Sequence, residues 1–355
     1  MNYKTRRIFV STAVLMVAGG ALGLLAPSLA GAQAKAIAPY AVSVFATSPP
    51  NATQPDSIVA WGDNIIVGFQ NHVTKDGSDG KSSTIVELSA SGEVKRSFSV
   101  PGHNDGLRIV GDGKLWALQN EDANPNLVVI DLESGEQTPY QFAPTPHGGG
   151  YDDIVVVRGE VYLTASNPNL NAAGVNVFPA LVRARLWNGS VLLEPVLNGN
   201  AAATDIASGA TVSLNLTDPD SMTKDLKGNI VFTSQADSEL VFVGHVGTSE
   251  QTVGLLGITS TATGPGGAPI TIDDTAFAPP AAAYLLVTDV GGGVIYRIDR
   301  ADFGFEPGQA YSASDTAGVV GTLNLDTGVL TPIVTGMSSA RGLLFVKSGR
   351  HSGSD

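Results

Sequence analysis

The stretch NDGLRIVGDGKLWAL, residues 104–118, decides the fold. It opens on a polar corner at Asp105, continues as an apolar run over residues 107–110, and turns at Gly111-Asp112-Gly113 into a second apolar run. Two apolar runs joined by a tight glycine turn predict a β-hairpin.

The polar corner of this stretch recurs along the chain. An Asp, a small or polar residue and an apolar run occur in turn at Asp56, Asp105, Asp152, Asp220 and Asp274, with a degenerate sixth copy at Arg341. The spacings between these anchors are 49, 47, 68, 54 and 67 residues. A repeat of roughly fifty residues filled with short strands is typical of a β-propeller. We therefore predict an all-β propeller with four-stranded blades.

We expect six blades, five from complete repeats and a partial sixth that begins at Arg341–Val346, with a five-bladed ring as the alternative. The fifth repeat divides into strands at Ala276–Phe277, Tyr284–Thr288, Val294–Asp299 and Val329–Val334. The alternating segment Tyr40–Thr47 could close the ring by pairing with C-terminal strands. The long spacings contain insertions at 197–218, 257–271 and 300–320, which we interpret as surface excursions.

The N-terminus has the pattern of a targeting segment. Lys4, Arg6 and Arg7 precede an apolar stretch over residues 8–25, and small residues around Ala32 offer a cleavage site. We predict a signal peptide at 1–34, a single propeller domain at 35–347 and a disordered tail at 348–355. A secreted or periplasmic location follows, with no membrane contact beyond the signal peptide; retention of the segment as an anchor is the alternative.

Composition restricts the partners of the protein. The chain has 355 residues, no Cys and a net charge of −13. An acidic surface repels phosphate backbones, which argues against nucleic acid as a partner. The absence of Cys excludes disulfides and thiol chemistry. Small molecules, divalent cations or an extracellular protein remain as partners, and the oligomeric state is not determined.

The predicted topology gathers the corners and the loops after each second strand on one rim of the ring. The rim set is rich in carboxylates, carboxamides and imidazoles: Asp56, His72, His103, Asn104, Asp105, Asn120, Glu121, Asp122, His147, Asp152, Asp153, Asn167, Asn169, Asp218, Asp220, Gln235, Asp237, Asp273, Asp274, Asp289 and Arg341. The corner carboxylates could simply accept backbone N–H bonds at their turns. They could also coordinate a hard cation such as Ca²⁺, which prefers oxygen ligands. The candidate metal ligands are Asp56, Asn104, Asp152, Asp220 and Asp274.

The rim also offers candidate ligand-binding side chains: His72, His103, His147, Asn120, Glu121 and Arg341. Three imidazoles on neighbouring loops could hold a transition metal, or one could act as a base. Alternatively, they are ordinary polar residues of exposed loops.

The segment His103–Leu107, followed by Gly111–Trp116, resembles the senescence-marker-protein/gluconolactonase and NHL-like propellers. The segments Pro219–Met222 and Gly228–Phe232 are similar, with Ser221 where that family usually has Gly. The resemblance implies a propeller with a divalent cation and a general base near Asp220 and Asn104 or Asp105. The family's N-terminal Glu-Gly-Pro ligand motif is not found in this chain.

Two functions are compatible with these features. The first is a non-catalytic binding or scaffold propeller that takes a small molecule or a divalent cation at the rim. The alternative is a metal-dependent lactonase or esterase in which a cation polarises the carbonyl and Asp220 or Asp105 activates water. Whether the protein is an enzyme is not decided by its sequence.

Overall fold

The computed structural model describes residues 34–262 and 270–347. These residues form 28 β-strands and no helix, and none of them belongs to a helix able to cross a membrane. The predicted signal peptide and C-terminal tail lie outside the described residues, apart from Ala34, so those domain boundaries stay predictions. The all-β fold predicted from the repeat is confirmed.

The strands follow in chain order. The first ten are β1 (Lys35–Ala36), β2 (Tyr40–Thr47), β3 (Pro55–Trp61), β4 (Asn64–Phe69), β5 (Ser82–Leu88), β6 (Val94–Pro101), β7 (Asn104–Val110), β8 (Lys114–Gln119), β9 (Asn126–Asp131) and β10 (Gln137–Phe142). The next ten are β11 (Ile154–Val157), β12 (Glu160–Thr164), β13 (Pro179–Trp187), β14 (Ser190–Asn198), β15 (Ala202–Asp205), β16 (Thr211–Ser213), β17 (Pro219–Lys224), β18 (Ile230–Ser234), β19 (Glu239–Gly244) and β20 (Thr252–Gly257). The last eight are β21 (Thr259–Ser260), β22 (Thr275–Phe277), β23 (Ala282–Asp289), β24 (Val294–Arg300), β25 (Ala310–Ser314), β26 (Val319–Leu323), β27 (Val329–Thr335) and β28 (Ala340–Lys347).

Antiparallel pairing groups these strands into six four-stranded blades. Blades 1 to 4 are β3–β6, β7–β10, β11–β14 and β17–β20. Blade 5 is β22-β25-β26-β27 and blade 6 is β28-β23-β24-β2. The innermost strands contact one another in the closed order β3, β7, β11, β17, β22, β28 and back to β3. This arrangement is consistent with a six-bladed ring.

Blade 6 closes the ring with both ends of the described chain. Strand β2 pairs with β24 on the outside, and β28 is the innermost strand. The expected role of Tyr40–Thr47 in closure is therefore confirmed. Close aromatic contacts of Phe305 with Tyr40, Tyr311 and Phe345 pack this junction.

The predicted division of the fifth repeat is wrong. Strands β23 and β24 leave blade 5 and form the middle of blade 6, while β25 and β26 return to pair with β22 and β27. The prediction assumed that successive hairpins stay in one sheet. Residues 300–320 are consequently no surface excursion, because β25 is buried at every position. Its sequence AYSAS has too little apolar character to indicate a core strand.

The other two insertions lie at blade edges. The hairpin β15–β16 adds to blade 4 through parallel pairing of β15 with β20. Strand β21 adds to blade 5 through parallel pairing with β27, and residues 263–269 lie outside the described part. These additions cover backbone edges that would otherwise be unpaired.

Candidate functional site

In each blade a charged side chain at the start of the innermost strand, or up to two residues before it, lines the central cavity. In ring order these are Asp56, Asp105, Asp152, Asp220, Asp273 and Arg341. The five carboxylates are at most 8% exposed. Together with Glu121 they border a cavity with a volume of about 230 Å³. The repeated corner of the sequence thus becomes a ring of buried carboxylates with one guanidinium.

In blades 3 and 5, the residue after the ring residue bonds to the neighbouring blade. One carboxylate oxygen of Asp153 accepts the Met222 N–H at 2.7 Å, and one of Asp274 accepts the Leu343 N–H at 2.7 Å. The second oxygen of each accepts the N–H of the residue that follows it, at 2.6 and 2.7 Å. At Gly106 of blade 2, a Cβ would lie only 2.5 Å from a backbone carbonyl of blade 3. This position therefore joins blades.

Asp274 belongs to this joining position, which differs from its predicted role as a metal ligand. Both of its oxygens are engaged by backbone N–H groups. The residue equivalent to Asp56 in the ring is its neighbour Asp273, whose carboxylate accepts a bond from Gln235 at 3.0 Å. Two consecutive Asp residues made the repeat ambiguous by one position.

Three buried side chains form a group with metal-ligating geometry. His103 Nε2 lies 3.5 Å from Asp105 Oδ2 and 3.8 Å from Glu121 Oε1. The three atoms lie within 4.8 Å of one another, and no other group of three His, Cys, Asp or Glu in the described residues meets this criterion. His103 Nδ1 is 2.8 Å from the Val73 carbonyl oxygen. That carbonyl accepts from the Nδ1–H, so Nε2 is the ring nitrogen that faces the two carboxylates.

Unpartnered polar atoms concentrate at the same place. In the described residues, six of the eight buried side-chain atoms without a hydrogen-bond partner belong to residues 103–105 and 119–121. They include His103 Nε2 and Asp105 Oδ2, while Glu121 Oε1 has an ion-pair partner in the Lys75 ammonium. Buried polar atoms are normally satisfied, so such a concentration indicates a site for a ligand or an ion.

Lys75 forms the cationic side of this group. Its ammonium lies 2.7 Å from Glu121 Oε1. Burial alone would raise the pKa of Glu121, but the charge of Lys75 together with side-chain hydrogen bonds from Asp152, Asp105 and Lys75 outweighs burial and lowers that pKa to about 2. Glu121 is therefore ionised throughout the physiological pH range. Asp105 differs, because burial and the neighbouring charges of Glu121 and Asp56 hold its pKa well above the usual value.

Asp152 and Asp220 face the same cavity without a cationic partner of their own. Burial raises both pKa values well above the ordinary value, and neighbouring carboxylates add to the effect. One oxygen of Asp220 accepts bonds from the N–H and the hydroxyl of Ser221 at 2.6 and 2.9 Å. Asp56 instead contacts cationic and amide donors, Arg341 at 3.3 Å and the side chain of Gln70.

Other predicted site residues lie away from the metal-type group or support it indirectly. Asn104 is fully buried and donates to the Leu118 carbonyl at 3.0 Å, inside blade 2. Asn120 accepts the His103 N–H at 2.9 Å and donates to the Asn124 carbonyl at 3.0 Å, so it holds the loops that carry the group.

The three predicted rim histidines do not form one group. His72 is exposed and lines a separate outer cavity at the mouth. His147 is buried, its Nε2 lies 2.8 Å from the Gly150 carbonyl oxygen, and its ring contacts Tyr151 edge-on. Only His103 lies beside the carboxylates.

Sequence reasoning missed Lys75 and Gln70. Both lie on or beside the loop after the second strand of blade 1, the loop that contributed His72 to the rim set. The search for oxygen and imidazole ligands passed over the cation that pairs with them. Looking for a counter-charge to so many buried carboxylates would have found Lys75.

No protein-family model and no curated protein matches the chain. Among solved structures it is similar to a streptogramin B lyase, with 13% identity, a TM-score of 0.49 and coverage of 86% of this chain and 98% of that chain. It is also similar to a periplasmic gluconolactonase of Pseudomonas aeruginosa, with 12% identity, a TM-score of 0.44 and coverage of 83% and 89%. A glutaminyl cyclase of Myxococcus xanthus gives 14% identity, a TM-score of 0.43 and coverage of 75% and 95%. These neighbours include a gluconolactonase, the kind of propeller that the sequence resembles.

Proposed function

We propose that the protein is a secreted or periplasmic propeller that binds a divalent cation, and through it a small molecule, in its central cavity. The observation that carries this proposal is the buried group of His103, Asp105 and Glu121, in which His103 Nε2 and Asp105 Oδ2 lack hydrogen-bond partners and Glu121 Oε1 is paired with Lys75. The cavity is lined by eight carboxyl groups, those of the ring, Glu121, Asp153 and Asp274, against the three cations Lys75, Arg108 and Arg341. A cation compensates such an excess of buried negative charge.

The donor set favours a borderline transition metal over Ca²⁺. Ca²⁺ takes six to eight oxygen ligands, whereas an imidazole with two carboxylates suits Zn²⁺, Mn²⁺ or Fe²⁺. His103, Asp105 and Glu121 would hold the ion, and His103 is oriented for this by the Val73 carbonyl. The initial expectation of Ca²⁺ remains the competing possibility that direct titration resolves.

The test is calorimetric titration of the metal-free protein, residues 35–355, with Zn²⁺, Mn²⁺, Ca²⁺ and Mg²⁺. We expect one tight site for Zn²⁺ or Mn²⁺. His103→Gln should weaken it at least a hundredfold, while His72→Gln, at an exposed histidine of the neighbouring loop, should leave it unchanged. Glu121→Gln and the adjacent Asp122→Asn form a second pair. Equal affinities in His103→Gln and wild type would refute the site.

A second candidate function is hydrolysis of a lactone or ester, which one observation favours. Asp220 borders the cavity that Asp105 and Glu121 of the metal-type group also line, and burial raises its pKa, which makes its ionised carboxylate a stronger base than an exposed one. A divalent cation in this site would supply carbonyl polarisation, and Asp220 would accept a proton from water. Screening lactones and esters with the loaded protein and with Asp220→Asn decides between binding and catalysis. Activity that survives Asp220→Asn would exclude this role.

The location is proposed from the sequence of residues 1–34. Expression in a bacterial host followed by intact-mass measurement of the protein from the periplasmic fraction tests it. A mass that corresponds to a chain starting near residue 35 supports cleavage and export. An uncleaved protein in the membrane fraction would instead indicate an anchor.

A further inference from the structure

A second, more open cavity adjoins the central cavity, and we call it the mouth cavity. The mouth cavity is lined chiefly by hydrogen-bonding side chains, among them Gln54, Gln70, His72 and Asn167. The inner cavity is lined by the carboxylate ring. A ligand that enters from this mouth meets amide and imidazole groups and the carboxylates of Asp76 and Asp122 before it reaches the carboxylate ring.

Only two residues line both cavities, and both are cations. Lys75 and Arg341 border the inner cavity and the mouth cavity alike. We call this pair the neck. The side chain of Lys75 is 48% exposed and that of Arg341 is 19% exposed. A ligand from outside can therefore reach Lys75 and the exposed part of Arg341, whose Nε is buried.

Each cation of the neck has donor capacity left over. Arg341 Nε has no hydrogen-bond partner although it is buried, and its nearest carboxylate oxygen, on Asp273, lies 3.5 Å away. Its only carboxylate hydrogen bond is to Asp56, at a long 3.3 Å. Lys75 has three ammonium protons and a single carboxylate contact, Glu121 Oε1. Two neighbouring cations that have N–H groups without a carboxylate partner favour the binding of an anionic oxygen of a ligand.

Lys75 is also linked to the proposed metal group. The oxygen that it contacts, Glu121 Oε1, is the oxygen that faces His103 and Asp105. A divalent cation bound by Glu121 would repel the ammonium from this oxygen. Because the Lys75 side chain is long and partly exposed, it can turn toward the mouth.

We propose that the neck is a subsite for an anionic oxygen of the ligand, formed by Lys75 and Arg341, so that the natural ligand is a small organic anion such as a carboxylate. The carboxylate binds at the neck, and the remainder of the ligand extends into the inner cavity toward Asp105 and Glu121. Cation binding strengthens the subsite by releasing Lys75 from Glu121. The ligand class rests on the proposed function; the subsite itself does not need the metal.

The experiment uses glycolate and its uncharged analogue glycolamide as probes. Saturation-transfer NMR measures binding of each to residues 35–355, with and without the divalent cation, at constant ionic strength. We expect glycolate to bind at least about tenfold more tightly than glycolamide. Lys75→Met should remove most of this preference. Lys81→Met is the matched control, because Lys81 lies on the same loop and pairs with Asp79 instead.

The metal affinity of the same variants gives a second readout with the opposite sign. Lys75→Met should tighten metal binding, since it removes a positive charge from Glu121, while it weakens glycolate binding. A purely structural role of Lys75 would weaken both. Unchanged glycolate binding in Lys75→Met would overturn the subsite and assign the probe to the metal alone.

These outcomes also separate the two proposals. If the wild-type protein binds no divalent cation but retains a glycolate preference that depends on Lys75, the metal centre fails and the subsite stands. If it binds the cation but shows no difference between glycolate and glycolamide, the subsite fails and the metal centre stands. Arg341→Lys, which keeps the charge but loses the guanidinium geometry, should reduce glycolate affinity less than Lys75→Met does.

Discussion

The buried carboxylates make an unusual prediction about pH. Burial raises the pKa of Asp274 from 3.8 to about 7 and that of Asp218 to about 6. Between the two pKa values of each group the folded protein binds more protons than the unfolded chain. The stability that depends on these groups is therefore complete below pH 3.8 and falls as the pH rises toward 7.

The size of the effect follows from these values. For Asp274 the separation between 3.8 and about 7 corresponds to about 4 kcal/mol. About 3 kcal/mol of this loss of stability occurs between pH 5 and pH 8, the range of the assay. Asp105, Asp152 and Asp220 are raised in the same direction. A domain of roughly 300 residues loses about 1.5 °C in Tm for each kcal/mol, so Asp274 alone accounts for a decrease of about 4 to 5 °C.

Two groups work differently and do not cancel this trend. The lowered pKa of Glu121, about 2, affects stability only below its unfolded value of 4.5. Burial lowers the pKa of His147, so its contribution rises with pH up to 6.5. One imidazole is opposed by several carboxylates, and the net slope between pH 5 and 8 should be downward.

The assay is thermal unfolding in EDTA from pH 5 to pH 8 at constant ionic strength. We expect Tm to fall across this range in the wild-type protein. Asp274→Asn, which cannot ionise, should flatten the curve, and Asp63→Asn, at an exposed hairpin turn, should not. A Tm that is constant or rises from pH 5 to 8 in EDTA would show that these carboxylates are ionised without cost and would refute the reasoning.

Three further substitutions test the fold and the site by denaturation and titration. Gly106→Ala would place a Cβ 2.5 Å from a backbone carbonyl of the next blade and should lower Tm, whereas Gly257→Ala, with no atom within 4 Å of the added Cβ, should not; equal Tm values would contradict the close packing of blades at the corners. Phe305→Ala should cost about 3 to 5 kcal/mol of unfolding free energy at the closure of the ring, and a loss below 1 kcal/mol would argue against that packing. Asn120→Ala removes the acceptor of the His103 N–H and should weaken metal binding by a smaller factor than His103→Gln, so an equal or larger loss would mean that Asn120 acts as more than a positioning residue.

The periodic part of this fold was accessible from sequence because each blade begins in the same way. A corner carboxylate, a small residue and an apolar strand are local features, and they identified all six innermost strands. The order of strands within blades 5 and 6 was not accessible, since the hairpin β23–β24 satisfies the same pattern in either blade. Only packing against β2 and β28 selects blade 6.

The site was predictable to the level of residue type and no further. The sequence placed Asp105, His103 and Glu121 on one rim, but it placed about twenty other polar residues there as well. Distances separate them: His147 turns to a backbone carbonyl, Asn104 turns into blade 2, and Asp274 joins two blades. Because Asp273 and Asp274 are consecutive, the repeat could be aligned on either one. The sequence analysis chose Asp274, which joins two blades, and not Asp273, which is the residue of the ring.

The ring itself explains why one blade differs from the others. Five equivalent corners place a carboxylate in the cavity, and a sixth carboxylate would add to the repulsion among buried like charges. Arg341 occupies that position and lies between Asp56 and Asp273, the ring residues of the two neighbouring blades. The degenerate sixth copy of the repeat thus supplies the positive charge that compensates the negative charges of the other five corners. With Lys75 it leaves the cavity electrostatically asymmetric, cationic at the neck and anionic within, and this asymmetry orients a ligand that carries an anionic end.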